Sequence, residues 1–277
     1  MKNEDLMTLN DNKELVVMSS IDVRMGQGIQ IQLFRELLIA LAQLAVANPN
    51  HAILLRGQNR DVRDHEGTVI QPKAFRPDAD DLTVTEAKLR TAQELLCSEV
   101  QLLGFPKSVI EALETPLIAQ ALMQHYEIAA TPWLDLTDLP NLAVSFACQN
   151  TRHPHVYAFA IPRQGISYAP QKSGPGLMCW ALSSLCPAYA LRPHFQRAFV
   201  LADIDLNQSD AFPEVSAFSK DLSHHLLCKF QLTCNMVLPE LHQFGCPQGH
   251  AIYPAEYADP MLGVCNSVKE QLRKKYP

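Results

Sequence analysis

The side chains best placed for chemistry fall in three short stretches. Arg56-Gly57-Gln58 follows the apolar run Ala52-Ile53-Leu54-Leu55. A guanidinium at the end of a buried strand offers a planar fork to a phosphate or carboxylate, and a neighbouring glycine would let a ligand approach the backbone. An arginine paired to a structural carboxylate beside an ordinary turn is the competing reading. Gln124-His125-Tyr126 closes a helical pattern and is followed by Thr131, Asp135 and Thr137, with Trp133 between them. An imidazole, a phenol, hydroxyls and a carboxylate this close have the density of a pocket, or of caps and buried hydrogen bonds that fix a loop. Gln196, in Arg192-Pro193-His194-Phe195-Gln196, precedes a strand that begins near Ala198. It can donate and accept hydrogen bonds but cannot serve as a general base.

Cys228, Cys234, His242, Cys246 and His250 carry zinc-type donors. Gly245, Pro247 and Gly249 oppose the helix that would align the last three, and the paired Cys-x2-Cys knuckle is missing. They read as core cysteines and loop histidines, so no metal is expected. The chain has no P-loop, no G-x-G-x-x-G, no G-x-S-x-G elbow and no H-E-x-x-H. The simplest routes to an NTPase, a Rossmann dehydrogenase, a serine hydrolase or a zincin are thereby removed.

The elements that must position these residues follow from periodicity and punctuation. The first 20 residues are polar and unpatterned and read as a loose arm, with one domain over 21–277. Ile29 to Ala47 predicts a helix stopped by Asn48-Pro49-Asn50, and Ala52 to Arg56 a core strand. Residues 59–83 read as a long loop. Thr85 to His125 is helical with a break at Gly104-Phe105-Pro106, and Leu134 to Thr137 a short strand. Asp138-Leu139-Pro140 starts a helix over Asn141 to Cys148, with Asp138 as the cap. Val156 to Ile161 and Ala198 to Ile204 are strands, Lys220 to Phe230 a helix, and Val264 to Lys275 a closing surface helix. With no repeat and no linker, the fold class is α+β, one domain with a small mixed or antiparallel sheet flanked by helices.

Composition narrows the classes further. The chain has 277 residues, 47% of them apolar, and 23 Lys plus Arg against 29 Asp plus Glu, a net charge of -6. Such a balance argues against a protein that coats long nucleic acid, whose affinity rests on neutralised phosphates. No secretory signal is readable at the N-terminus, no stretch has the length of a membrane span, and the eight cysteines are scattered. Cytoplasmic localisation and reduced thiols are the expectation.

In chain order, Arg56-Gly57-Gln58, Gln71-Pro72-Lys73-Ala74-Phe75-Arg76, Gln124-His125-Tyr126, Leu134-Asp135-Leu136-Thr137 and Ala143-Val144-Ser145-Phe146-Ala147 resemble the FRG-domain family. That family is named for a Phe-Arg-Gly motif, and its second signature reads roughly Q-H-Y-G-x-P-T-x-L-L-D-x-T before a helix ending A-x-x-F-A. The resemblance spans about 33–244, with Arg192 to Phe199 as the late R-x3-Q stretch. Leu55 stands in place of the Phe, Glu127 in place of the Gly, and the His125 to Asp135 spacing is one residue longer than the pattern.

The family's layout is in turn similar to that of ADP-ribosyltransferases. This looser resemblance implies an NAD-using enzyme, an ADP-ribosyltransferase or an NAD glycohydrolase, of the toxin or defence-effector kind. NAD would be a co-substrate. The target would be a protein or nucleic acid, with an antitoxin or regulatory partner and no membrane. It implies Arg56, Gly57, Gln58, His125 and Tyr126 as cofactor-binding and Gln196, Asp135 and Thr137 as catalytic. Arg56 would hold a phosphate, Thr137 would brace the arginine strand, Tyr126 or Trp133 would stack on nicotinamide, and Gln196 would take the acidic position. Because an amide stabilises a developing ribosyl cation less than a carboxylate does, Asp135 or Glu127 would supply the charge. The alternative is a non-catalytic ligand- or partner-binding domain in which the same residues hold the fold; a zinc-stabilised module ranks third. Arg56, Arg60, Arg63, Lys73 and Arg76 lie within 21 residues, so a chain of negative net charge can still present a positive pocket.

Overall fold

A computed structural model describes residues 6–149, 153–168, 176–204, 214–243 and 253–276. In chain order the strands are β1 (Met7–Leu9), β2 (Leu15–Val17), β3 (Ile29–Ile31), β4 (His51–Gln58), β5 (Arg63–Asp64), β6 (Gly67–Thr68), β7 (Leu134–Thr137), β8 (His155–Pro162), β9 (Ile166–Ser167), β10 (Gly176–Ala181), β11 (Ala198–Ile204) and β12 (Leu226–Leu232). The helices are α1 (Ser20–Met25), α2 (Phe34–Ala47), α3 (Leu82–Leu102), α4 (Lys107–Leu113), α5 (Pro116–His125), α6 (Pro140–Ala147), α7 (Leu182–Leu185), α8 (Leu191–Phe195), α9 (Cys234–Gln243) and α10 (Pro260–Lys275). The class is α+β. Among the described residues, no helix is long and apolar enough to cross a membrane.

The chain divides into two compact units, interleaved in sequence. Unit 1 comprises Met1–Ile70, Leu136–Gly165 and Asp221–Gln248, and unit 2 comprises Gln71–Asp135, Ile166–Lys220 and Gly249–Pro277.

In unit 1 the strands run in the order β3, β12, β8, β4, β7. The β3–β12 pair is parallel and the other three pairs are antiparallel, so the sheet is mixed. One face is apolar: Ile31, Leu55, Val156, Ala158, Phe230 and Leu232 meet α2 through Leu37, Leu41 and Leu44, with Ala143, Ala147, Val237 and Leu241 from α6 and α9. Full burial of such side chains contributes about 1.5–3 kcal/mol each. Helix α2 stops where Asn48 turns its amide back to the carbonyls of Leu44 and Met7, both at 2.8 Å.

Three expectations are corrected in this unit. Residues 1–20 were expected as a loose arm, but β1 and β2 pair as a hairpin, Leu9 is buried, and the Thr8 hydroxyl donates to the Leu227 carbonyl. The helix expected from Ile29 begins at Phe34, because Ile29 and Ile31 point inward on either side of exposed Gln30 and pair with β12. The helix expected over Lys220 to Phe230 is instead a short 3-10 turn, Ser223–His225, and strand β12. An apolar run buried on both faces has neither the 3.6 nor the 2.0 period that would separate helix from strand.

Unit 2 orders its strands β11, β10, β9, the first pair antiparallel and the second parallel. The helical stretch up to His125 is three helices. Gly104, with φ +71°, and Pro106 separate α3 from α4, and Pro116 occupies the first turn of α5, where a missing amide costs nothing. The core joins Leu89, Leu96 and Val100 of α3 to Val264, Val268 and Leu272 of α10. Trp133 lies edge-on to Trp180 and Phe218, with centroids 4.9 and 5.1 Å away, and its indole N–H donates to Gln120 at 2.8 Å.

Candidate functional site

The predicted residues fall into two polar clusters. Arg56, Gly57, Gln58 and Thr137 belong to unit 1, and His125, Tyr126, Asp135 and Gln196 to unit 2.

In unit 2 the cluster is built on the end of α5. Tyr126 caps the helix, Glu127 follows in the left-handed region at φ +55°, and two amides fold back: Glu127 to the Gln124 carbonyl at 3.1 Å and Ile128 to the Met123 carbonyl at 2.8 Å. This is the helix-ending arrangement that favours glycine. Glu127 therefore occupies a conformation that glycine adopts more readily. Its side chain is exposed and 3.9 Å from Lys269.

This ending delivers Gln124 and His125 to one place. The Thr131 hydroxyl donates to Gln124 Oε1, and Gln124 Nε2 donates to Asp135 Oδ2 at 2.9 Å. His125 Nδ1 lies 3.1 Å from Gln196 Oε1, and Nε2 lies 3.4 Å from Asp135 Oδ1, without hydrogen-bond alignment. With the Gln196 oxygen at Nδ1, that nitrogen carries the proton in the neutral ring. The imidazole is 4% exposed and the Asp135 side chain 32%, while the Oδ1 that faces His125 is itself buried, so a buried chain of polar groups ends at a partly exposed aspartate.

The R-x3-Q stretch supplies the other side. One turn of α8 separates Arg192 from Gln196, whose backbone amide bonds the Arg192 carbonyl at 3.0 Å. Arg192 Nη1 donates to the His125 carbonyl at 3.2 Å while Gln196 holds the ring, so one helical turn fixes both ends of the histidine. Gln196 is buried at the end of α8, just before β11.

Two expected roles are corrected here. Tyr126 is buried, its hydroxyl donates to both carboxylate oxygens of buried Asp259, at 3.0 and 2.7 Å, and the Arg192 guanidinium covers its ring at 5.0 Å. Burial first, and then the Asp259 hydrogen bond, drive its phenol far above the usual range. Trp133 is wholly buried among Trp180 and Phe218. Neither ring presents a face for stacking on nicotinamide.

In unit 1, Gly57 is the third correction. A Cβ built there would lie 1.9 Å from the Ala143 carbonyl oxygen and 2.8 Å from the Ala147 amide nitrogen. The space expected for a ligand is filled by the backbone of α6. The glycine and the two alanines of the A-x-x-F-A segment are one packing motif. Arg56 and Gln58 point to the opposite sheet face, half-buried, with Arg56 Nε donating to Gln58 Oε1 at 3.3 Å. Thr137 sits opposite Leu55, beside the arginine strand, and its hydroxyl accepts from the Leu139 amide at 3.1 Å. Leu139, and not Asp138, stands at the N-cap of α6, and its side chain makes no capping hydrogen bond.

The same sheet face carries groups that the sequence does not single out. Lys229, Tyr157 and Arg56 form one row across β12, β8 and β4. Lys229 is 2% exposed, and its ammonium donates to the Gly26 carbonyl at 2.6 Å, Thr68 Oγ1 at 2.7 Å and Asp61 Oδ2 at 3.1 Å. Tyr157 donates to Asp61 Oδ1 at 2.9 Å, and Arg63 adds a contact at 3.1 Å. Burial pushes the Asp61 carboxyl up, but the Lys229 charge and hydrogen bond, with those from Thr68 and Tyr157, outweigh it and hold the group below the usual carboxylate range. Burial pulls the Lys229 ammonium below the usual lysine range, against the Asp61 charge. The one signal in the sequence is a single lysine inside the apolar run Leu226-Leu227-Cys228-Lys229-Phe230.

Of the zinc-type donors, Cys228 is buried in the apolar core of unit 1, burial pushing its thiol up to about 11, and Cys234 and His242 stand on α9. Cys246 and His250 lie outside the described residues. The seven described cysteines are free thiols. No family model, curated protein or solved structure matches the chain.

Proposed function

We propose that the chain is an NAD-using enzyme of the ADP-ribosyltransferase or NAD glycohydrolase type, with Asp135 as the charged partner of the reacting sugar. The observation that carries this reading is the partly exposed Asp135 side chain, hydrogen-bonded by Gln124 and 3.4 Å from the His125 ring, with His125 held in turn by Gln196 and Arg192. In such a reaction the bond between nicotinamide and ribose breaks heterolytically and nicotinamide leaves with the electron pair. The ribosyl cation then accepts a nucleophile, water or a group on a macromolecular target, which loses its proton. A carboxylate positioned before the charge develops lowers that barrier without reorganising. Asp135 is the residue proposed to touch the sugar. His125 and Gln196 position it. Of the two carboxylates implied by the resemblance, Asp135 is preferred because Glu127 is exposed beside Lys269.

The second reading, a non-catalytic ligand- or partner-binding domain, is favoured by Gly57 and Tyr126, both of which are used in packing. Incubation with labelled NAD and cell extract separates the two. The enzyme reading expects free nicotinamide, or label on a macromolecule that an antitoxin or regulatory partner would suppress. Absence of binding, of nicotinamide and of label would overturn it.

A further inference from the structure

We infer that a basic cleft in unit 2 is a binding site for a phosphoanhydride, either pyrophosphate itself or the diphosphate of a nucleotide. The cleft has a volume of about 350 Å³ and takes cations from separate elements: Lys73 from the turn after Pro72, Lys88 from α3, and Lys269 and Arg273 from α10. The spacing of Lys269 and Arg273 puts them one turn apart on the same side of the helix.

Charge decides what fits. Lys88 is paired with Asp80 at 2.8 Å and Lys269 lies 3.9 Å from Glu127. Among the described residues, Lys73 and Arg273 have no ion pair, although the chain as a whole carries a net charge of -6. Four cations against the one carboxylate on the lining, Glu127, leave the cleft with a net positive charge that an anion would neutralise. The fit is to an anion with more than one charged group, and arginine with lysine is the pair that recognises phosphates by fork and by point charge. Tyr276 forms one wall, its hydroxyl 3.1 Å from Thr91 Oγ1 and the Lys88 ammonium 5.6 Å from its ring centroid. A fixed aromatic wall beside a diphosphate subsite gives a nucleotide base a surface to meet. This inference does not depend on Asp135 or on turnover of NAD.

The test is calorimetric titration of the full chain with inorganic pyrophosphate, ADP and orthophosphate at low and high ionic strength. Lys73→Gln, Arg273→Gln and the double variant are compared with Lys274→Gln, an exposed lysine outside the cleft. Lys73 and Arg273 are exposed, so melting temperatures should stay unchanged. Each single variant should weaken pyrophosphate binding about tenfold, as expected for one lost charge-assisted contact, and Lys274→Gln should leave it unchanged. ADP binding tighter than pyrophosphate, and losing that advantage in Tyr276→Leu, assigns the site to a nucleotide. Equal binding of the two assigns it to the diphosphate alone. No binding of pyrophosphate, equal binding by the double variant, or orthophosphate binding as tightly as pyrophosphate would overturn the inference.

Discussion

The carbonyl oxygen of Ala143 stands 1.9 Å from the point where a side chain on Gly57 would begin. Glycine at this position is what lets α6 lie directly on β4, and the packing residues Leu55 and Val144 depend on that approach. Gly57→Ala must push the helix off the strand. Overpacking of this kind costs about 1–3 kcal/mol and occasionally more, and the obstacle here is backbone, so the expected loss is about 3 kcal/mol or insoluble protein. Thermal melting checks it. A variant as stable as the parent would show that α6 can move freely.

Tyr126 gives a contrasting test, because its residue type suggests a cofactor contact while its surroundings are those of the core. Tyr126→Phe keeps the ring under Arg192 but takes a donor from the buried Asp259 carboxylate, which retains the Leu191 amide at 3.3 Å. Loss of a hydrogen bond to a charged group costs about 1.5–3 kcal/mol. Chemical denaturation should show that loss while NAD affinity is unchanged. Unaltered stability with weakened NAD binding would return Tyr126 to the ligand.

Glu127 predicts the opposite sign. Its φ of +55° is the conformation glycine adopts without penalty, and its contact with Lys269 is long and exposed. Glu127→Gly should raise stability by about 0.5–1 kcal/mol. A lower melting temperature would mean that the Lys269 contact matters more than the backbone.

The Asp61–Lys229 pair makes stability depend on pH. Because the folded carboxyl is held below its ordinary value, its contribution is fully present above the unfolded pKa, about 3.9, and disappears as pH falls through the lower folded value. Asp61→Asn leaves a buried ammonium and should cost about 3 kcal/mol at neutral pH. The difference between parent and variant should shrink below about pH 4. Denaturation across acid pH measures it, and a constant difference would contradict the assignment.

Strands β4 and β11 were legible from the unbroken apolar runs that begin at Ala52 and Ala198, although β4 continues to Gln58, past the end expected at Arg56. The class, and the start of α6 at Pro140, were legible for the same reason: local punctuation sufficed. Strand β12 was misread because both of its faces are buried, and β3 because three residues show no period. In the site, His125, Asp135 and Gln196 were nominated from residue type, but the contact of His125 with Gln196 spans 71 positions and has no local signal. Distance also hid Asp61 from Lys229, 168 positions apart, and Tyr126 from Asp259, 133 apart. An aromatic ring in a sequence looks available until its burying partners are known. Gly57 looked open for the same reason, since the residue that fills its space lies on a helix that follows much later in the chain.

If the Asp135 carboxylate, backed by His125, supplies the charge proposed to cleave NAD, nicotinamide release depends on it. The most direct test is the rate of nicotinamide release by the parent and by Asp135→Asn, a nearly isosteric change whose folding is checked by melting temperature. The expected result is measurable release by the parent and a loss of about 100-fold or more in the variant, the scale seen when one preorganised electrostatic group is removed. Equal rates in the two proteins, or no release by the folded parent, would contradict it.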